Sequence, residues 1–128
     1  MTVEADIFSR LSSYTGLSAL VSTRIYPGLL KQNTTYPAVS YRRVSSERPS
    51  VMAADTGIVR ARFQFDIWSN HYGDMISAKE QLRLALQRYR GTATVQILGT
   101  FILTDLDLYE EETQIHHGVV DVEINYRE

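Results

Sequence analysis

His71, His116 and His117 are the residues of this chain most suited to metal binding or proton transfer. Adjacent residues of an extended strand point to opposite faces, so His116 and His117 cannot share one metal without a bulge. No spacing brings His71 to them, and the sequence predicts no metal site, with all three in structural or surface roles. Asp105, Asp107, Asp121 and Glu123 are the next candidates. Acid–base work by paired carboxylates needs a desolvated cleft that drives their pKa values apart. These four alternate along exposed strand faces, which argues against glycosidase-type chemistry.

The remaining catalytic patterns are missing. There is no cysteine, which removes thiol nucleophiles, disulfides and thiolate zinc sites. No serine lies between glycines in the nucleophile-elbow arrangement. The seven glycines are isolated, so neither a phosphate-cradling loop nor a dinucleotide fingerprint is present. The sequence predicts a protein that is no enzyme and carries no cofactor.

Charge is more informative. Residues 1–90 hold twelve basic and seven acidic residues, for +5, while residues 91–128 hold Arg127 against eight acids, for −7. The formal net charge of −2 hides this split. It calls for self-association or a charged partner. Arg42, Arg43, Arg60 and Arg62 are its focus, on two strands expected to be hairpin neighbours. Three readings compete for them. They form a cross-strand ladder with Asp105, Asp107, Asp121 or Glu123 on one sheet surface, each pair contributing roughly 0.2 to 1 kcal/mol. Alternatively, the basic half of one copy meets the acidic half of the next, a head-to-tail contact that closes as a ring or runs on as a filament. The third reading is phosphate binding. Trp68 and the eight tyrosines could stack nucleic-acid bases, but most of the tyrosines sit at element ends, where such rings belong to the core margin.

The elements that position these residues are legible from periodicity. Val3, Ile7, Leu11 and Tyr14 recur at helical spacing behind a Thr2 cap, with Glu4 and Asp6 in the first turn and Gly16 as a stop. Residues 17–21 add a short second turn of helix. Residues 24–27 are extended before a proline, and residues 36–45 read as a strand. Residues 58–69 alternate strictly, with Val59, Ala61, Phe63, Phe65 and Ile67 on one face and Arg60, Arg62, Gln64 and Asp66 on the other. Met75, Ala78, Leu82, Ala85, Leu86 and Tyr89 mark a second helix over about residues 73–90, ended by Gly91. Extended stretches at 94–98, 101–109 and 115–127 complete the chain. The last places Val120, Val122, Ile124 and Tyr126 inward. The fold class this implies is α+β, a mainly antiparallel β-sheet with two α-helices packed on one face.

About residues 45–57 join two of these strands as a long hairpin loop containing Glu47, Arg48, Val51 and Met52. Connections of this length are uncommon in compact domains, and apolar residues near a projecting tip ask for a cover. An interaction arm and a floppy loop both fit. The length of 128 residues suits a single domain that needs no metal or disulfide to fold. No targeting segment or membrane-length apolar run occurs, which predicts a soluble intracellular chain.

In colinear order come Arg24-Ile25-Tyr26-Pro27, Tyr36-Pro37-Ala38-Val39-Ser40-Tyr41 and Arg60-Ala61-Arg62-Phe63-Gln64-Phe65-Asp66-Ile67-Trp68. Tyr89-Arg90-Gly91, Asp107-Leu108-Tyr109, Glu112-Thr113 and Asn125-Tyr126-Arg127 follow. With this set, which covers nearly the whole chain, the sequence resembles the tail terminator (tail completion) proteins of long-tailed bacteriophages and prophages. The resemblance implies a single terminator-like domain over residues 1–128 and a non-enzymatic role. It implies a hexameric ring of copies on the head-proximal end of the virion tail, assembled from chains made in the bacterial host cytoplasm. Such a ring stops polymerisation of the tail tube protein and receives the head completion or connector protein. DNA is only passing cargo, and no membrane is involved. Another head–tail connector or minor tail protein of similar fold, and a small-ligand or nucleic-acid binding domain, are the alternatives.

Overall fold

The computed structural model describes residues 2–30, 34–49, 57–92 and 95–127. Its elements are α1 (Val3–Ser13), α2 (Thr15–Val21), β1 (Ile25–Pro27), β2 (Ala38–Glu47) and β3 (Ile58–Ser69). They continue with α3 (Tyr72–Leu86), β4 (Gly91–Thr92), β5 (Gln96–Glu110) and β6 (Ile115–Arg127). The six strands form one sheet in the order β1-β2-β3-β6-β5-β4, curled as a half-barrel.

The α+β class holds, with two corrections. Among the described residues there are three helices rather than two, because residues 15–21 complete a helix of their own with Leu17 and Val21 buried. The sheet, expected to be mainly antiparallel, is mixed, because β1 pairs parallel to β2 while the other described pairings are antiparallel. Arg24 holds that crossing: its Nε donates to the Pro37 carbonyl at 2.9 Å and its Nη2 to the Leu20 carbonyl at 3.3 Å. Pairing partners lie far apart in sequence, so periodicity alone does not reveal strand direction.

Two further boundaries move. The helix expected to reach residue 90 stops at Leu86. Arg88 adopts a left-handed backbone (φ 59°) and its amide donates to the Thr100 carbonyl at 2.8 Å, which turns the chain onto β5. The stretches at 94–98 and 101–109 fall largely within one strand, β5, whose register shifts between Ile97 and Gly99 and again between Ile102 and Thr104. Each extra residue reverses which face the following side chains occupy, which broke the alternation read from sequence.

The core lies between the helices and one face of the sheet. Val59, Ala61, Phe63, Phe65 and Ile67 of β3 are buried beside Val120, Val122 and Ile124 of β6. Against them pack Ile7 and Leu11 of α1, Leu17 and Val21 of α2, and Met75, Leu82 and Leu86 of α3. Each large side chain buried here contributes roughly 1.5 to 3 kcal/mol. Tyr41 and Phe65 stack with ring centroids 5.4 Å apart. At Gly118 a Cβ would lie 2.8 Å from Met75 Sδ, so glycine lets α3 settle onto β6.

Polar contacts fix the helices in place. Thr2 Oγ1 caps α1 by accepting from the Ala5 amide at 3.3 Å. Asp6 is buried, and its Oδ2 accepts from the Val95 amide at 2.9 Å, tying α1 to the start of β5. Arg10 donates from Nε to the Ala85 carbonyl at 2.8 Å and lies over the Tyr89 ring, so one cation satisfies an end carbonyl of α3.

Candidate assembly interface

All three helices cover the same face of the sheet, and the opposite face carries the charged residues singled out by sequence. Register alternation places Arg42, Ser45 and Glu47 of β2, Arg60 and Arg62 of β3, and Asp121 and Glu123 of β6 there. Arg62 Nη2 meets Asp121 Oδ2 at 3.0 Å, and the Thr104 hydroxyl donates to the same oxygen at 3.2 Å. Arg60 reaches Glu47 at 3.5 Å. Glu123 lies directly across from Arg62 and Phe101 and accepts from Asn125 at 3.5 Å. Arg42 is exposed opposite Gln64.

Three candidates lie elsewhere. Asp105 and Asp107 are on the helix-bearing face, where Lys79 of α3 contacts both at 3.8 and 2.5 Å. They therefore share no surface with Arg60 and Arg62. Arg43 also points to the helix side. Its guanidinium pairs with Glu4 at 2.9 Å and lies over the rings of Phe63 and Tyr126. Of the loop residues, Arg48 is exposed just beyond β2, while Val51 and Met52 lie outside the described residues.

Sequence reasoning missed a polar cluster on the uncovered face. His117 Nε2 lies 3.0 Å from Asp66 Oδ1, which also accepts from Gln64 Nε2 at 3.0 Å. Trp68 stacks on the His117 ring at 3.8 Å and donates from Nε1 to Ser40 Oγ at 3.2 Å. Asp66 and Ser40 are buried without any described helix above them. The signal was present in the polar row of β3, whose alternation leaves that face to solvent or a partner. His116 turns to the other face and packs against Tyr72 and Tyr109.

Also missed was the apolar character of β5. Phe101, Leu103, Leu106, Leu108 and Tyr109 are each about half exposed. Leu106 and Leu108 alternate with Asp105 and Asp107, which puts leucines on the uncovered face and aspartates under α3.

Burial, with a smaller push from Glu4, raises the Tyr41 hydroxyl to about 12. The Arg83 hydrogen bond holds Glu80 below the usual carboxylate range on the exposed side of α3. Among the described residues, no group of three or more His, Asp or Glu side chains could hold a metal ion. No described helix is long and apolar enough to cross a membrane.

A curled sheet with helices on one face and a charged, partly apolar surface on the other defines an α+β unit. The chain belongs to the tail completion protein gp17 family, which it matches over residues 5–127. It is thus a structural protein of the phage tail. Its fold is similar to that of a chain in the virion of a native gene transfer agent particle. That match has a TM-score of 0.78 at 16% identity, covering 95% of this chain and 92% of the other. Comparison with curated proteins finds no match.

Proposed function

We propose that this chain, as one domain of residues 1–128, closes into a hexameric ring on the head-proximal end of the tail tube. The ring ends tube polymerisation and offers the surface to which the filled head attaches. Its partners are further copies of itself, the tail tube protein and a head completion or connector protein, and genome DNA passes through its hole. The chains are made in the host cytoplasm before they join the virion.

The family match across residues 5–127 carries this reading. The number six rests on the resemblance to tail terminators. The similar chain from a gene transfer agent virion supports a structural role for this fold. The uncovered face adds to it: Arg60 and Arg62 keep about half of their side-chain surface in solvent, open to a second acidic partner.

Native mass spectrometry and negative-stain images at tens of micromolar, with and without the cognate tube protein, test the reading. A ring is expected in at least one condition, and a strict monomer in both overturns it. Replacing Arg60 and Arg62 together with glutamate is expected to abolish the ring. Unchanged assembly of that variant assigns both arginines to the intramolecular ladder alone.

A further inference from the structure

Two edges of the sheet are open. β4 covers β5 only at Gln96 and Ile97, and beyond the Arg88 and Tyr89 contacts with Thr100 the outer edge of residues 101–110 pairs with no described strand. At the other side, β1 covers β2 only at Val39, Ser40 and Tyr41, so residues 42–47 are likewise open among the described residues. An exposed, long, apolar edge strand is a ready template for another strand.

Resting on the ring reading, we propose that the free edge of β5 in one copy receives residues 42–47 of β2 from the next copy as an antiparallel strand, continuing the sheet across each subunit boundary. Direction supports it. β2 runs antiparallel to β3, β3 to β6, and β6 to β5, so β5 and β2 run in opposite directions within one copy. A neighbour related by rotation about an axis along the strands presents its β2 antiparallel to β5 with the uncovered faces on the same side. Pairing two different edges is heterologous, which is the arrangement that closes rings.

Charge supports it too. Residues 101–110 contain three acids and no base, whereas residues 42–47 contain two arginines and one glutamate. Like charges directly opposite are destabilising, so a second β5 is a poor partner for β5 and the basic edge is a good one. Val44, half exposed on β2, meets an edge bearing Phe101, Leu103, Leu106 and Leu108.

The chain has no cysteine, so introduced pairs report cleanly. Ser45→Cys combined with Phe101→Cys, Leu106→Cys or Leu108→Cys places both thiols on exposed sites of the uncovered face. Under oxidation of the assembled protein, one of these pairs is expected to yield a covalent ladder on a denaturing gel, and each single variant only monomer. Circular dichroism confirms that each variant is folded. A ring with no ladder from any pair overturns edge pairing and leaves the ring reading intact. A monomer with and without the tube protein overturns both. Dimers from Leu106→Cys alone overturn the head-to-tail pairing in favour of β5 against β5.

Discussion

His117 on β6 and Asp66 on β3 meet at 3.0 Å on the sheet face that no described helix covers, with Trp68 stacked on the imidazole. A buried carboxylate there is stable because His117 and Gln64 both reach it. Removing one partner leaves the other unsatisfied, which costs about 1 to 3 kcal/mol. Asp66→Ala and His117→Ala are each expected to lose that much in urea unfolding. The double variant is expected to lose less than the sum, since the two residues share one interaction.

Tyr41 makes stability depend on alkaline pH. Its hydroxyl donates to the Glu4 carbonyl at 3.2 Å from within the core margin. Because the folded value is raised, the fold favours the neutral phenol, and this component is fully present below the unfolded value. It is lost as pH rises from 10 through about 12. The expected loss is on the order of 2 kcal/mol. Tyr41→Phe has no phenol to ionise, so denaturation measured across that range should show a shallower decline.

Gly118→Ala tests the seating of α3. The added methyl meets the sulfur of the buried Met75, and the strain should cost about 1 to 3 kcal/mol. Combining it with Met75→Ala removes the clash, so thermal unfolding of the double variant should show less than additive loss.

Arg43 and Arg62 separate packing from surface charge. Arg43 lies over two aromatic rings and pairs with Glu4, so Arg43→Ala should destabilise by about 1 to 2 kcal/mol. Arg62→Ala breaks only a half-exposed pair with Asp121 and should cost less than about 1 kcal/mol. Chemical denaturation of the two variants side by side checks the order.

The sequence by itself determined the core rows of β3 and β6 and the stripe of α1, because strict alternation and helical spacing are local properties of the chain. It also placed His116 and His117 on opposite faces. Only the tertiary structure decided how the charges divide. The second register shift in β5, between Ile102 and Thr104, turned Asp105 and Asp107 toward Lys79 and left Leu106 and Leu108 on the uncovered face, and one extra residue reverses a strand's faces without any mark in composition. Nor could periodicity show that Arg43 belongs to Glu4 while Arg62 belongs to Asp121, since such partners are chosen by sheet order. Strand pairing joins residues distant in sequence, and that order exists only once the chain has folded.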